Sequence, residues 1–138
     1  MENQGFTSAA EKLVLLVDDD KDVMALLEEI VRGEGFKVVM AEDGVDAQKK
    51  ARSLAPDIIV LDLMLPKAGG FETLHELQSG ETSDIPVIVI TGRHLERSTA
   101  ELVRQQPNVR DFLEKPVRAQ LLVSRLHQFL KTQPLKKS

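Results

Sequence analysis

The chain has 138 residues, 42% of them hydrophobic and 29% charged, with 18 basic and 22 acidic side chains. This length is typical of one domain with a single aliphatic core, and the absence of cysteine excludes disulfides, thiol catalysis and cysteine-ligated zinc. The net charge of −4 gives no global basic field for nucleic acid or an anionic membrane. With no signal-peptide pattern and no long apolar run, we expect a soluble, cytoplasmic protein that binds neither nucleic acid nor a membrane directly.

Short apolar runs alternate along the chain with stretches of helical periodicity. The runs are continuous and mostly β-branched, which is typical of strands covered on both faces in a parallel sheet. They lie at residues 13–17, 36–40, 58–61, 87–90 and, more weakly, 109–113. Asp20 is a plausible N-cap of the first helix and Gly35 a plausible stop. The apolar stripes predicted for the five helices are Val23, Leu26, Leu27, Ile30 and Val31; Ala47, Ala51 and Leu54; Phe71, Leu74 and Leu77; Leu95, Leu102 and Val103; and Ala119, Leu122, Val123, Leu126 and Leu130.

Five β-α repeats predict an α/β fold, a flavodoxin-like doubly wound sheet of five parallel strands in the order 2-1-3-4-5 with five helices. The first strand is followed neither by the Gly-x-Gly-x-x-Gly turn of dinucleotide-binding domains nor by the Gly-x-x-x-x-Gly-Lys turn of P-loop proteins. Residues 1–11 and 132–138 are predicted as flexible tails around one domain at 12–131. The three histidines, which show no metal-ligand spacing, are expected to be surface or partly buried residues.

Polar side chains stand where the predicted strands end. Three aspartates at positions 18–20 follow the first strand, and Asp62, Thr91 and Lys115 end the third, fourth and fifth. Each has an ordinary structural explanation; Asp20, for instance, is best explained as a helix cap. Ligand sites in such sheets lie at the carboxyl ends of the strands, so we expect these residues to meet at one edge.

The charges at this edge favour a particular chemistry. Asp18, Asp19 and Asp62 bring three negative charges and Lys115 returns one positive charge. Carboxylate oxygens without nearby histidine or cysteine favour Mg²⁺ over zinc. Carboxylates, a magnesium ion, a lysine and a hydroxyl together form a site for phosphoryl transfer.

Four motifs, in order along the chain, resemble the receiver domain of two-component response regulators of the chemotaxis-regulator kind. They are residues 17–20 (VDDD), 59–66 (IVLDLMLP), 89–92 (VITG) and 112–116 (FLEKP). The resemblance covers about residues 12–131. It implies that Asp62 is the phosphoacceptor and that Asp18, Asp19, Asp62 and the backbone carbonyl of Met64 hold Mg²⁺.

The resemblance also implies roles for the remaining residues. Thr91 corresponds to the switch hydroxyl, Phe112 to the switch aromatic and Lys115 to the lysine that pairs with phosphate. The implied donor is a histidine kinase or a histidine phosphotransfer protein. Phosphorylation would change the face formed by helix 4, strand 5 and helix 5, and so the binding of a downstream protein target or output domain. Apart from the resemblance, strand alternation puts Arg93 on the same side as Thr91. Arg93 is therefore either a solvated arginine that opens helix 4 or, with Met64, a candidate for shielding the phosphoryl group from water.

Two alternatives remain beside this phosphorylation switch, which would catalyse its own phosphorylation and slow dephosphorylation but would not be a turnover enzyme. The first is a magnesium-dependent phosphohydrolase with an aspartyl-phosphate intermediate. Such an enzyme usually has a second acid two residues after its nucleophile, where this chain has Met64. The second is a flavodoxin-like module that binds a small ligand, although no phosphate-cradling loop is evident.

Overall fold

The computed structural model describes residues 7–65, 69–92 and 97–134. Strands and helices alternate in the predicted order, with short 3₁₀ helices at Ala9–Glu11 and Gly80–Thr82. The strands are β1 (Leu13–Val17), β2 (Lys37–Ala41), β3 (Ile58–Asp62), β4 (Val87–Thr91) and β5 (Val109–Glu114). The helices are α1 (Lys21–Gly33), α2 (Gly44–Leu54), α3 (Gly70–Glu76), α4 (Arg97–Arg104) and α5 (Ala119–Leu130).

All strands are parallel, and their order across the sheet is β2-β1-β3-β4-β5, which confirms the predicted topology. The central strands β3 and β4 are fully buried. This burial accounts for their continuous apolar sequences, since a strand covered on both faces has no solvent side. The strand β5 lies at one edge of the sheet, and a register irregularity separates its first pairing with β4 from the rest.

The core has two layers, one on each face of the sheet. Alternate strand residues point to opposite faces, so that Leu16 and Val60 pack with α1 and α5 while Leu15 and Leu61 lie in the layer covered by α2, α3 and α4. At its amino end, α1 is capped as predicted, because the Asp20 side chain accepts hydrogen bonds from the next turn. This layered packing holds the carboxyl ends of the strands at one rim.

The predicted apolar stripes are wider than the faces that the helices bury. Each of four stripe residues is 43–53% exposed: Leu26, Leu54, Phe71 and Leu102. These four residues therefore lie on the predicted stripes but outside the buried core. Helical periodicity indicates an apolar side, but the rotation of the helix on the sheet decides which residues of that side lose contact with water. On α1, for example, Met24 is buried in place of Leu26.

The segments flanking the domain differ from the predicted flexible tails where the structure describes them. The Thr7 N–H donates to the Lys131 carbonyl at 2.8 Å, and Thr7 and Thr132 form a parallel bridge. Nearby, His127 is 5% exposed, and its ring nitrogens contact Thr132 Oγ1 at 2.7 Å and Glu34 Oε1 at 2.8 Å. The expectation of a surface or partly buried role is wrong for this histidine. It links the ends of α1 and α5.

Across the described ranges, none of the helices has the length and apolar character that crossing a bilayer requires.

Candidate functional site

The site lies at the carboxyl ends of four neighbouring strands. Asp62 and Thr91 are the last residues of β3 and β4, while Asp18 and Lys115 directly follow β1 and β5. Because β1, β3, β4 and β5 are consecutive in the sheet, the parallel arrangement carries all four side chains to one rim. The sequence predicted this convergence, and the structure shows it.

The turn after β1 positions its aspartates by local hydrogen bonds. Asp18 is 1% exposed, and its Oδ1 accepts a hydrogen bond from the Asp20 N–H at 2.9 Å. Asp20 caps α1, whereas Asp19 is exposed but keeps a carboxylate oxygen within 4.8 Å of those of Asp18 and Asp62. Asp18 and Asp19 therefore lie at the site, and Asp20 is the N-cap of the helix.

Asp62 and Asp18 both pair with the side chain of Lys115. The ammonium of Lys115 lies 3.3 Å from Asp62 Oδ2 and 3.1 Å from Asp18 Oδ2. The other carboxylate oxygen of Asp62 accepts a hydrogen bond from the Met64 N–H at 3.0 Å. Asp62 is only 3% exposed, and a buried carboxylate is stable only with such partners.

The electrostatics of this cluster shift two pKa values. Burial raises the pKa of the Asp18 carboxyl above its ordinary value; the Asp20 N–H and Lys115 oppose the rise, and the charge of Asp62 adds to it. Burial alone would lower the pKa of Lys115, but its contacts with the two carboxylates outweigh burial and raise it. Ionisation of Asp18 therefore opposes folding of the metal-free protein, and that cost is relieved as the pH falls through its raised pKa.

Thr91 has a buried hydroxyl with no hydrogen-bond partner among the described residues. The residue is 1% exposed, and its Oγ1 makes no hydrogen bond within the part of the chain that the structure describes. Its backbone carbonyl accepts from the Lys115 N–H at 2.8 Å, which ties the two residues together. A buried hydroxyl without a partner costs stability, so this atom is well suited to a ligand oxygen that enters the site.

The acidic cluster has the chemistry of a hard-cation site. Asp18, Asp19 and Asp62 each offer a carboxylate oxygen, and these oxygens lie within 4.8 Å of one another. With one lysine beside three carboxylates, the cluster keeps a net negative charge that a divalent cation would neutralise. The residues present therefore fit a bound Mg²⁺.

The same rim and topology occur in a known family. The sequence profile of the response regulator receiver domain matches residues 14–127. This chain belongs to that family. Its members are signalling domains, in agreement with the prediction of a switch rather than a classical enzyme.

Individual relatives show how far the receiver domain extends. The chain is 36% identical over 118 residues to the transcriptional regulatory protein CpxR of Klebsiella pneumoniae, an alignment that covers 86% of this chain and 49% of CpxR. It is 32% identical over 118 residues to protein PilH of Pseudomonas aeruginosa, covering 85% of this chain and 96% of PilH. The chain thus spans about half the length of one relative and nearly all of the other.

A solved structure shares the fold. The receiver domain of sensor histidine kinase PA1611 from Pseudomonas aeruginosa superimposes with a TM-score of 0.79 at 24% identity, covering 88% of this chain and 98% of that one. That crystal structure has a magnesium ion coordinated in its active-site cleft. At this level of identity, the comparison shows that the two chains share the fold.

Phe112 of the receiver domain has a neighbour that the sequence did not predict. Its ring is half-buried, and the Arg104 guanidinium lies over it, 4.7 Å from the ring centroid. Arg104 ends α4 and Phe112 lies within β5, with a turn between them. No pattern within either element signals this contact, because it depends on how α4 packs beside the edge strand.

Two predicted residues remain outside this geometry. Arg93, a candidate for shielding the phosphoryl group, lies outside the described residues. Met64 is described, and its side chain is 64% exposed beside Asp62. The role of its backbone carbonyl as a metal ligand stays a prediction.

Proposed function

We propose that this receiver domain is a phosphorylation switch in which Asp62 accepts the phosphoryl group. The observation that carries the proposal is the environment of the Asp62 carboxylate. One oxygen faces Lys115, and the neighbouring Thr91 hydroxyl is buried with no partner in the described part of the chain. A phosphoryl group on Asp62 would give both groups an oxygen to contact.

The transfer is a nucleophilic displacement at phosphorus. An Asp62 carboxylate oxygen attacks the phosphoryl group of a phosphohistidine on a histidine kinase or histidine phosphotransfer protein. The P–N bond breaks, an acyl phosphate forms, and the donor histidine leaves as a neutral imidazole after protonation. Lys115 pairs with the phosphoryl oxygens, and Thr91 donates its hydroxyl to one of them.

The proposed magnesium ligands are Asp18, Asp19, Asp62 and the backbone carbonyl of Met64. When bound, Mg²⁺ supplies positive charge to the equatorial phosphoryl oxygens. The carboxylates of Asp18 and Asp19 would hold the ion in place, and without the ion Asp18 pairs with the ammonium of Lys115. Their role is therefore electrostatic, while Asp62 is the reacting group.

The signal leaves the site through α4, β5 and α5. In the proposed switch, Thr91 moves towards the phosphoryl group, Phe112 changes its packing, and the face formed by these elements changes its affinity for a downstream protein target or output domain. Phosphorylation shifts a population between two states rather than building a new structure. We propose the cytoplasm as the compartment.

Met64 favours a switch over a phosphohydrolase. It occupies the position two residues after Asp62, and its thioether is too weak a base to activate water. The phosphoryl group on Asp62 is therefore expected to hydrolyse slowly, as a signalling state requires. The receiver domain would catalyse its own phosphorylation and slow dephosphorylation without turning over a separate substrate.

The proposed function is tested with a small acyl phosphate as donor. Acetyl phosphate with millimolar Mg²⁺ is expected to add one phosphoryl group per chain, detected by intact-protein mass spectrometry, and chelation of the metal is expected to prevent it. An adduct that is labile both to alkali and to hydroxylamine would identify an acyl phosphate. A chain that stays unmodified with this donor and also with a phosphorylated histidine phosphotransfer protein would contradict the proposal.

Magnesium is expected to stabilise the native protein, because the ion binds the folded cluster and not the unfolded chain. At a concentration about ten times the dissociation constant, the free energy of unfolding should rise by about 1.4 kcal/mol. Asp19→Ala should abolish most of this rise and should also increase the stability of the metal-free protein, since it removes one of three repelling charges. The measurement is thermal unfolding with and without MgCl₂.

Glu42→Ala is the matched control for the metal prediction. Glu42 is an exposed acid in the neighbouring groove, outside the cluster of carboxylates that lie within 4.8 Å. Its removal should leave the magnesium effect intact. An equal loss in both variants would show that the ion acts through general screening and not through the proposed site.

A further inference from the structure

Charge is segregated along this receiver domain. Residues 12–92 contain 8 basic and 16 acidic side chains, a net charge of −8, whereas residues 97–131 contain 7 basic and 3 acidic ones, a net charge of +4. The second range holds α4, β5 and α5. The positive charge of this acidic protein is therefore concentrated in the segment that holds the elements that the proposed switch would change.

The basic face contains a groove of about 640 Å³ between α4, β5 and the start of α5. Arg104, Phe112 and Arg118 line it, and Arg110 and Arg104 line the adjoining depression of about 330 Å³. We call this continuous surface the arginine groove. It is distinct from the proposed magnesium site. Among the described residues of that site, only Lys115, which pairs with Asp18, also lines the groove.

Three arginines of the groove are available for a partner. Arg110 and Arg118 are exposed, and in the described ranges neither forms an ion pair with an acid. Arg104 lies over the Phe112 ring without a carboxylate partner among those residues. The acids that line the groove are Asp111, which Arg125 already contacts at 2.5 Å, and exposed Glu114. The groove thus has surplus positive charge.

We propose that the arginine groove binds an acidic segment of a partner protein, with an aromatic or aliphatic side chain of that segment packed beside Phe112. The segment's carboxylates pair with Arg104, Arg110 and Arg118, because the planar guanidinium binds carboxylates in a bidentate way. The inference rests on the proposed function, since it names the chemistry of the partner that the switch selects.

Other occupants fit the groove less well. A symmetric contact with a second copy would set this basic face against itself and place arginines opposite arginines. Nucleic acid would meet a protein of net charge −4 and only a few arginines around an apolar ring. An acidic segment with an apolar side chain matches both the charge and the ring.

The groove is connected to the phosphorylation site through β5. Phe112 lies three residues before Lys115, whose N–H donates to the Thr91 carbonyl at 2.8 Å. A movement of Thr91 and Phe112 would change the surface over which Arg104 lies. Arg104 would then be free to exchange the Phe112 ring for a partner carboxylate, which makes the affinity depend on the state of Asp62.

The test uses a fluorescent synthetic peptide in which glutamate pairs alternate with single phenylalanines, and its counterpart with lysine in place of glutamate. Fluorescence anisotropy measures affinity for the phosphorylated and unphosphorylated full chain, and NMR chemical-shift changes locate the site. We expect the acidic peptide to bind at the arginine groove, more weakly as salt rises. Combined Arg110→Glu and Arg118→Glu should weaken binding by at least about tenfold.

Arg52→Glu is the matched control, since Arg52 is an exposed arginine on α2, beside the opposite edge of the sheet. It should leave binding unchanged. Equal binding of the lysine peptide, an equal effect of Arg52→Glu, or shifts that map elsewhere would overturn the inference. The inference would also be overturned if a DNA duplex bound the groove more tightly than the acidic peptide. The same holds if the chain self-associated through the groove, Arg110→Glu abolished that association, and the peptide did not bind.

The two proposals fail in different ways. If mass spectrometry shows no phosphorylation but the peptide binds the groove, the proposed function is wrong while binding of an acidic segment is supported. If Asp62 is phosphorylated and the affinity is the same in both states, the proposed function stands and the selection of this partner by the switch is wrong.

Discussion

Replacing Asp62 by asparagine is expected to abolish phosphorylation. The amide has the shape of the carboxylate but is a poor nucleophile, so Asp62→Asn should incorporate no detectable phosphoryl group from acetyl phosphate. The fold should persist, because the side-chain oxygen can still accept the hydrogen bond from the Met64 N–H. Lys115 keeps its contact with Asp18 at 3.1 Å. Intact-protein mass spectrometry measures the loss, and thermal unfolding checks the fold.

Asp84→Asn serves as the matched control for this experiment. Asp84 is an exposed aspartate that precedes β4, so it lies at the end of the sheet opposite the site. Its variant should be phosphorylated to the same extent as the wild-type chain. Undiminished phosphorylation of Asp62→Asn would move the acceptor to another carboxylate, with Asp19 the first to examine by peptide mapping.

Gly70→Ala is expected to cause the largest loss of stability. A Cβ atom at this position would lie 2.2 Å from the Leu63 carbonyl oxygen and 2.4 Å from its carbonyl carbon and Cα. These are backbone atoms, held in place because the Leu63 N–H donates to the Ile90 carbonyl at 2.8 Å. We expect a loss of about 3 kcal/mol or more in the free energy of unfolding, at the upper end of the cost of overpacking.

The same clash should also disturb phosphorylation. Leu63 directly follows Asp62, so relief of the clash would move the end of β3 and the acceptor with it. Urea unfolding measures the stability, and the rate of phosphorylation by acetyl phosphate measures the effect on the site. A Gly70→Ala variant that is too unstable to fold would agree with the prediction.

Gly33→Ala provides the control, since a Cβ atom there would meet nothing within 4 Å. Gly33 is the last residue of α1, where alanine has the better helix propensity. We expect this variant to be as stable as the wild-type chain or more stable by up to about 1 kcal/mol. If Gly70→Ala behaved like Gly33→Ala, the Leu63 backbone would have to move away from Gly70 easily, contrary to its hydrogen bond with Ile90.

The sequence by itself determined the strands, the topology and the residues of the rim. A strand buried on both faces carries a continuous apolar sequence, and such burial is typical of parallel sheets. The continuous apolar runs therefore predicted β1, β3 and β4 as parallel strands. Polar residues at the ends of such strands can only collect at one edge, so the convergence of Asp62 and Lys115 followed from the order of the strands. The helix cap by Asp20 was readable because its hydrogen bonds are local.

Tertiary structure alone decided the contacts between elements distant in sequence. Leu26 is exposed while Met24 is buried because α1 is rotated on the sheet by packing that its own periodicity does not contain. His127 meets Glu34, 93 positions away, and Arg104 reaches Phe112 across a turn. A local pattern reports the geometry of one helix or strand, whereas these contacts depend on how separate elements are placed against one another, which no single stretch of sequence specifies.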